Sequence, residues 1–598
     1  MSNKVFLSGN EAIARAAYAA GCSVASAYPG TPSTEILENI AKFKGEIDCE
    51  WSVNEKVAME IGIGASIAGA RALVCMKHVG LNVAMDPLMT YTFVGTSGGL
   101  VIVSADDPGM HSSQNEQDNR TLGKFAHCIE LEPSDSQEAY DMVRGAWELS
   151  ERTGAIVMVR MTTRTSHSAS LVDLGEDGLK RGAVEVKPYV KNPRRTVAVP
   201  ANAREMRFAL EDRNRRLLEE SEKSPFNRIE DGRSELGIVT SAVAYEYVKE
   251  VFPEYRILKL GFTNPLPVRL VREFAASVKR VVVVEELDPV LGNAVRLAGV
   301  DVTPYKTELR MMELNVSRIR ALRAELLGEA LPAAPVQPVE AQSLPSRPPT
   351  LCAGCSHRGV FYTLSKLKTT VCGDIGCYTL GVVPPLSSMD TTICMGASIG
   401  NAFGMRKAGF KGRLAAVIGD STFFHSGMTG LLDVVYNKGA VTVVVLDNRI
   451  TGMTGHQQNP GSGKTLLGEE TVQTDIAEVA RGLGVKRVHT VNAYDLVELE
   501  RVLSEELDCN EPSVVVAYGP CVIAAKKLAG AIPHAVDPSK CKTCGACFRL
   551  GCPSIVRGER LANGRYASRI APAACIGCGL CSQVCKFGAI ASTGVPKA

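Results

Sequence analysis

Short apolar runs alternate with amphipathic segments along most of the chain. In the first 180 residues the runs are CSVASAYPGTP, ALVCM, GLVIVSADDPG and AIVMVRM. Such alternation is typical of buried parallel strands connected by helices. We therefore predict an α/β protein with several doubly wound parallel-sheet domains.

Changes in this pattern predict the domain boundaries. Residues 203–223 are charged on nearly every turn, which indicates a solvated connector helix, and the segment 331–350 holds six prolines, which favour an extended linker. The first predicted part is an α/β domain (1–185), and the second combines the connector with a smaller α/β domain that has strands at 236–240 and 281–286 (186–330). After the linker (331–350) comes a third α/β domain, with strands TTICMG, LAAVIGD, VTVVVLDN and VVVAYG (351–530). The chain ends in a tail rich in Cys, Gly and Pro (531–598).

Composition narrows the expected partners and location. The 598 residues include 66 basic and 64 acidic side chains, so the net charge of +2 gives no reason to expect nucleic acid or a membrane surface. No uncharged run approaches the roughly 18 apolar residues of a membrane span. Glu11 and Arg15 interrupt any signal-peptide core. We expect a cytoplasmic protein, in which nineteen cysteines are metal ligands rather than disulfides.

The tail contains two cysteine runs, CKTCGACFRLGCP and CIGCGLCSQVCKFG. In bacterial two-cluster ferredoxins three close cysteines hold one cluster and the fourth reaches the other cluster. We therefore assign one 4Fe-4S cluster to Cys541, Cys544, Cys547 and Cys585, and the second to Cys575, Cys578, Cys581 and Cys552. Lys586 stands where the second run usually has Pro, and zinc is the alternative occupant of four-cysteine sites.

Two predicted strands of the third domain end in possible Mg²⁺ ligands. One ends at Gly419 and Asp420, and the next ends at Asp447 and Asn448. Parallel neighbours would bring Asp420 and Asn448 to one sheet edge. Mg²⁺ prefers oxygen ligands together with substrate phosphates, which Asp420, the Asn448 amide and the Ile450 carbonyl can supply. Taken alone, Gly-Asp after a strand is more often a helix N-cap, but its pairing with Asn448 at this spacing favours the metal site.

The pair resembles the thiamine diphosphate motif, GDG followed by NN. Ser421 and Asp447 depart from that motif but leave the metal-ligating positions intact. The nearby NPGSGKT is not a P-loop, because Gln458 occupies the place of the first glycine. We expect the loop TGMTGHQQNP, with Gly452 and Thr454, to fold over the diphosphate instead.

Thiamine chemistry also needs a carboxylate in an apolar setting to hydrogen-bond the aminopyrimidine. The segment NEKVAMEIGIGASIAGA places Glu55 at a helix start, followed by glycines and alanines that allow close packing. Glu60 is the rival residue in the same segment.

Several motifs together resemble those of the 2-oxoacid ferredoxin oxidoreductases. They are AYPGTPSTE, VNEKVAME, SSQNEQDNR, CAGCSHRG, GDSTFFHSG, VLDNRITGMTG and the two cysteine runs. Their order resembles that of the indolepyruvate ferredoxin oxidoreductase alpha subunits over essentially the whole chain. The resemblance implies that domain 1–185 is of the pyrimidine-binding type, that 186–330 includes a transketolase C-terminal-like domain, and that 351–530 binds the diphosphate and Mg²⁺.

The resemblance also implies roles for single residues. It favours Glu55 over Glu60, places Thr31 against the cofactor, and assigns Arg120 to the 2-oxoacid carboxylate, a role that suits the planar guanidinium. A surface position in a polar loop is the alternative for Arg120. His425 is a further candidate for the pocket, although a structural role explains it equally.

A third 4Fe-4S cluster near thiamine is implied by similarity to the pyruvate enzymes of this family. Its ligands would be Cys352, Cys355, Cys377 and Cys521. Cys372 is the alternative to Cys377, and four buried thiols without a cluster are the alternative to the whole set.

The implied activity is oxidative decarboxylation of arylpyruvates with coenzyme A, with electrons passing through the clusters to ferredoxin. The chain shows no nicotinamide fingerprint and no segment resembling the family's gamma-type domain, so we expect a smaller beta subunit and an α2β2 heterotetramer. The alternatives are an enzyme for aliphatic 2-oxoacids, a non-redox thiamine decarboxylase, and a non-catalytic electron-transfer subunit.

Overall fold

A computed structural model describes residues 3–183, 186–330, 348–526, 530–560 and 564–596. The chain divides into two compact units, 1–339 and 340–598. Most of the predicted linker, residues 331–347, lies outside the described residues. No described helix is both long and apolar enough to cross a membrane.

The first unit alternates strands and helices, as predicted. Its elements are β1 (Lys4–Ser8), α1 (Gly9–Ala19), β2 (Val24–Ala27), α2 (Thr34–Ile40), β3 (Asp48–Trp51), α3 (Glu55–Ile67), β4 (Ala72–Lys77), α4 (His78–Val94), β5 (Leu100–Asp106), α5 (Arg120–Phe125), β6 (Ile129–Leu131), α6 (Ser136–Thr153), β7 (Val157–Thr162), α7 (Thr163–His167), β8 (Ala169–Asp173), α8 (Pro193–Thr196), α9 (Pro200–Glu222), β9 (Arg228–Glu230), β10 (Arg233–Ser241), α10 (Ala244–Val251), β11 (Tyr255–Leu260), β12 (Phe262–Asn264), α11 (Val268–Ala276), β13 (Val281–Val284), α12 (Val290–Leu297) and α13 (Val316–Leu327).

A seven-stranded sheet in the order β12-β6-β7-β5-β4-β2-β3 forms the centre of this unit. All neighbours are parallel except β12, which pairs antiparallel with β6. Every residue of β4, β5 and β7 is buried, as expected for parallel strands covered by helices on both faces. The edge strand β12 is Phe262–Asn264.

A four-stranded sheet, β13-β10-β11-β9, forms the smaller domain. The charged segment before it is the helix α9, but it is not solvated all round. Met206, Leu210 and Leu217 are buried along one face together with Arg213, which donates to the Thr92 carbonyl. The prediction of a simple solvated connector was wrong for that face.

The second unit contains a parallel sheet and a small cysteine-rich domain. Its elements are α14 (His357–Lys366), β14 (Thr370–Cys372), α15 (Ala397–Lys407), β15 (Leu414–Gly419), α16 (Asp420–Thr422), α17 (Met428–Tyr436), β16 (Thr442–Asp447), α18 (Ile476–Gly482), β17 (Arg487–Asn492), α19 (Leu496–Leu507), β18 (Ser513–Tyr518), β19 (His534–Val536), β20 (Ile555–Arg560), β21 (Tyr566–Ile570), α20 (Leu580–Val584) and β22 (Ile590–Ser592).

The sheet order is β14-β15-β16-β18-β17, and all pairs are parallel. The predicted strands LAAVIGD, VTVVVLDN and VVVAYG are β15, β16 and β18. The prediction of a strand at TTICMG was wrong: only Thr391 makes an isolated bridge, to Cys372 in the edge strand β14. The two Asp374 carboxylate oxygens accept the amides of Gly396 and Ser398, which draws this segment away from the sheet.

Candidate active site and cluster sites

In the first unit, predicted cofactor residues lie where parallel strands end. Thr31 follows β2 and Glu55 begins α3 directly after β3, and these strands are neighbours in the sheet. The loop around Thr31 is fixed on both sides, because Asn10 donates to the Pro32 carbonyl at 2.7 Å and the Ser33 hydroxyl donates to the Gly30 carbonyl at 2.9 Å.

Glu55 and its rival Glu60 have different environments. Glu55 is 4% exposed. The Glu60 side chain is 46% exposed and forms a surface ion pair with Lys56. Only Glu55 therefore has the buried setting that the predicted role requires. Gly80 on α4 packs against it: a Cβ built there would lie 2.7 Å from the Glu55 Oε1 atom.

Replacing Gly80 by Ala is expected to displace the Glu55 carboxylate and to lower kcat/KM by roughly 10- to 100-fold, as small misplacements of catalytic groups do. Steady-state kinetics and thermal unfolding check this. Gly64→Ala is the matched control, since a Cβ there meets nothing within 4 Å. Equal losses in the two variants would mean that contact with Glu55 is not the cause.

Arg120 does not have the free guanidinium that its predicted role requires. It is 1% exposed. Its Nε donates to Asp118 at 2.9 Å, its Nη1 donates to Glu285 at 2.8 Å, and its Nη2 also donates to the carbonyls of Glu286 and Asp288. In this structure its donors are directed at protein acceptors, and its burial contradicts the alternative of an exposed Arg in a polar loop. Binding of a substrate carboxylate by Arg120 stays a prediction.

In the second unit, the ends of β15 and β16 bring the predicted Mg²⁺ ligands together. The Asp420 Oδ2 and the Asn448 Oδ1 each lie 3.1 Å from the Ile450 amide nitrogen. The Asp420 Oδ1 accepts from the Ser421 amide at 2.8 Å. These oxygens lie at the carboxyl edge of the parallel sheet, where ligands bind in such folds.

The electrostatics of Asp420 fit a cation site. Asp420 is 3% exposed, and its hydrogen-bond donors are the neutral groups of Ser421, Ile450 and Asn459. Burial, and next the charge of Asp447, raise the pKa of Asp420 to about 7. Asp447 itself is paired with Arg449 at 3.0 Å. A buried carboxylate without a paired cation is costly, so a bound Mg²⁺ would supply the missing positive charge.

The residues predicted to surround the diphosphate lie at or after the carboxyl ends of the same two strands, β15 and β16. Gly419 is the last residue of β15, and Gly452 and Thr454 lie in the loop after β16. The Thr451 hydroxyl donates to the Ser421 hydroxyl at 2.9 Å, which connects this loop to the residue that follows Asp420. His425 is 5% exposed, and its Nδ1 lies 2.5 Å from the Ser426 hydroxyl.

The structure groups the four cysteines predicted to hold a third cluster. Burial first, and then the charges of Cys521 and Cys352, raise the pKa of Cys377 to about 11. Burial likewise raises the pKa of Cys355 to about 12, with Cys377 and Cys352 as charged neighbours. The four cysteines thus affect one another electrostatically.

This group adjoins the predicted Mg²⁺ site. The Cys521 amide donates to the Asn448 carbonyl at 3.1 Å. A Cβ built on Gly452 would lie 3.4 Å from the Cys377 Sγ. Cys372, the alternative to Cys377, is fully buried in β14 with its Sγ 3.5 Å from the Met405 Sδ. It belongs to the hydrophobic cluster on the other face of the sheet.

The eight C-terminal cysteines form the two sets assigned from the sequence. Cys552, Cys575, Cys578 and Cys581 line one pocket. Cys541, Cys544, Cys547 and Cys585 line a second pocket. Among the described residues, no three His, Cys, Asp or Glu side chains converge closely enough to hold a metal ion. Each pocket is nevertheless lined by four cysteines, the number of ligands that a 4Fe-4S cluster takes.

Three residues of these sites were not predicted. His357, 3% exposed, has its Nε2 3.4 Å from the Asn448 Nδ2, and burial lowers its pKa to about 4. Asn459 donates to Asp420 at 3.4 Å, and Gly80 adjoins Glu55. His357 follows the CAGC motif and Asn459 lies in NPGSGKT, so both had a nearby signal in the sequence. Gly80 had none.

Three family models match the chain. They are the pyruvate flavodoxin/ferredoxin oxidoreductase thiamine-diphosphate-binding model (residues 15–220), the C-terminal thiamine-pyrophosphate-binding domain (374–517) and the 4Fe-4S dicluster domain (534–586). These matches define a thiamine-diphosphate-dependent 2-oxoacid ferredoxin oxidoreductase. A solved 2-oxoglutarate:ferredoxin oxidoreductase from Magnetococcus marinus aligns with a TM-score of 0.46 and 19% identity, over 55% of this chain and 65% of that chain.

Full-length relatives identify the branch of that class. "Indolepyruvate oxidoreductase subunit IorA" of Archaeoglobus fulgidus is 39% identical, over 98% of this chain and 97% of its own. The subunit of the same name from Methanothermobacter thermautotrophicus is 41% identical, over 99% and 98%. The chain belongs to the indolepyruvate oxidoreductase subunit IorA family.

Proposed function

We propose that this chain is the catalytic subunit of an enzyme that oxidises arylpyruvates such as indolepyruvate and phenylpyruvate. One arylpyruvate anion and one coenzyme A thiol give arylacetyl-CoA, CO₂, one proton and two electrons, which reduce two ferredoxins. The observation that carries this proposal is the contact between the Asn448 carbonyl and the Cys521 amide, because it joins a cation site to a set of cluster-binding thiols. The names of the IorA relatives support indolepyruvate as the substrate.

In this proposal Asp420, the Asn448 amide oxygen and the Ile450 carbonyl hold Mg²⁺. The loop with Gly452 and Thr454 holds the diphosphate. When bound, thiamine diphosphate supplies the electron sink for decarboxylation. Glu55 hydrogen-bonds the aminopyrimidine, and the burial of its carboxyl strengthens that interaction. Thr31 lies against the cofactor.

We propose further that electrons leave through three 4Fe-4S clusters. The set Cys352, Cys355, Cys377 and Cys521 receives them first, because it adjoins Asn448. The loop that carries Cys352 and Cys355 touches the second cysteine run: a Cβ built on Gly354 would lie 2.2 Å from the Ile576 side chain. The cluster held by Cys552, Cys575, Cys578 and Cys581 is therefore the next acceptor, and the remaining set faces ferredoxin.

The proposed assembly includes a smaller beta subunit that carries the gamma-type domain, in an α2β2 heterotetramer. The naming of the IorA relatives as subunits supports a partner chain.

The test is anaerobic reduction of ferredoxin by the chain purified with its partner, with coenzyme A and equal concentrations of indolepyruvate, phenylpyruvate, pyruvate or 2-oxoglutarate. We expect kcat/KM for the aryl acids to exceed the others by at least tenfold, which corresponds to about 1.4 kcal/mol of transition-state discrimination. A lead for pyruvate or 2-oxoglutarate would keep the reaction and reject the substrate. No oxidation by a chain loaded with thiamine and iron would indicate an electron-transfer subunit.

A further inference from the structure

Arg358 is a buried cation whose hydrogen bonds go to backbone on two sides. It is 1% exposed. Its Nε donates to the Cys352 carbonyl at 3.0 Å and its Nη2 donates to the Leu351 carbonyl, both in the loop of the proposed first cluster. Its Nη1 donates at 2.9 Å to the Leu550 carbonyl, two residues before Cys552. One guanidinium therefore joins the loops that carry ligands of two different cluster sites.

The charge of Arg358 has no carboxylate partner among the described residues. Its hydrogen-bond acceptors there are three carbonyl oxygens, which carry no net charge. Burying an unpaired charge is unfavourable, and such a group normally has a counter-charge close by. Burial lowers the pKa of Arg358, and Cys552, Cys355, Cys352 and Cys578, two from each site, oppose that change. Thiolates that ligate clusters would supply the missing negative charge.

The position of Arg358 relative to one site is also defined by a cavity. Arg358 lines the same pocket as Cys552, Cys575, Cys578 and Cys581. A Cβ built on Gly551 would lie 3.3 Å from the Arg358 Nη1, so no side chain separates the guanidinium from the backbone beside Cys552. A positive charge at this distance and in a low-dielectric interior acts strongly on any group that gains an electron.

We propose that Arg358 is a positioning residue that sets the reduction potentials of the two clusters it joins. This inference rests on the proposed electron path. Adding an electron makes a cluster more negative, so a fixed buried cation favours the reduced form and raises the potential. Because the same cation acts on both clusters, it raises both potentials and changes the difference between them little.

The experiment is a redox titration of the anaerobically reconstituted holoenzyme, followed by electron paramagnetic resonance. We expect Arg358→Gln to lower the reduced-to-oxidised ratio of the Cys552, Cys575, Cys578 and Cys581 cluster at least tenfold at a fixed ambient potential. For one electron that ratio corresponds to about 59 mV. Arg358→Lys keeps the charge without the three-way hydrogen bonding, so its ratio should stay within threefold of the wild type.

The matched control is Arg569→Gln, because Arg569 is an exposed residue of β21 in the same domain and water screens its charge. Arg569→Gln should change the reduced-to-oxidised ratio of the cluster by less than twofold. Arg358→Gln with intact iron content and an unchanged ratio would overturn the proposal and leave Arg358 as a structural link. If Arg358→Gln fails to hold iron, the test rests on Arg358→Lys. A tenfold change in the reduced-to-oxidised ratio of Arg358→Lys, or loss of iron from that variant, would also overturn the proposal.

The outcome separates this inference from the proposed function. Failure to oxidise any 2-oxoacid would reject the function, yet the potential of the C-terminal cluster would still test Arg358. A wild-type chain with signals from only two clusters would remove the first site from the path and leave the prediction for the Cys552, Cys575, Cys578 and Cys581 cluster unchanged.

Discussion

Asp420→Asn is expected to weaken Mg²⁺-dependent binding of thiamine diphosphate by about 100-fold or more. The substitution keeps the size of the side chain and removes the only charge in the proposed ligand set. Removing a supporting residue around a metal ligand already costs about 10- to 100-fold in affinity, so removing a ligand charge should cost at least the upper end of that range. Activity at limiting cofactor should fall in parallel.

Calorimetric titration of the cofactor in the presence of Mg²⁺ measures this effect without relying on turnover. Asp433→Asn is the control, because Asp433 lies exposed on α17 in the same domain. Thermal unfolding of Asp420→Asn without cofactor is measured alongside, because both carboxylate oxygens accept N–H hydrogen bonds and Asn replaces one of these acceptors by a donor. Unchanged cofactor affinity would remove Asp420 from the site.

The juxtaposition of Asp420 and Asn448 was predictable from the sequence because it depends on short-range patterns. Asp420 and Asn448 end adjacent apolar strands, and parallel pairing alone places strand ends at one edge. The spacing of the eight C-terminal cysteines predicts two sets of four, and each of the two pockets is lined by one of these sets.

The failures concern contacts between residues that are far apart in the sequence. Arg120 lies in a polar segment, and nothing near it indicates that Glu285, 165 residues later, pairs with it. The segment TTICMG is apolar and β-branched, but Asp374 binds its last residue through a side chain 22 residues away. Gly80 adjoins Glu55 only because α3 and α4 pack together. Local patterns contain no information about such pairings.

Cys377→Ala is expected to remove one cluster and leave the other two. Iron should fall by about a third, from the content of three clusters to that of two, and ferredoxin reduction should fall by about 100-fold or more. The reason is geometric: Cys377 adjoins Gly452 beside the proposed cofactor site, and the C-terminal cavities contain none of its neighbours Cys352, Cys355 and Cys521. Without this cluster an electron would have to cross a much longer gap.

Cys372→Ala makes this test specific. Cys372 is five residues away in the sequence, is equally a cysteine of the third domain, and faces the opposite hydrophobic cluster beside Met405. It should keep the full iron content and most of the activity, with only a modest loss of stability from the small cavity. Iron analysis and electron paramagnetic resonance of the reduced proteins compare the two. If Cys372→Ala loses a cluster and Cys377→Ala does not, the ligand set is shifted in register; if neither loses iron, the chain holds clusters only in its C-terminal domain.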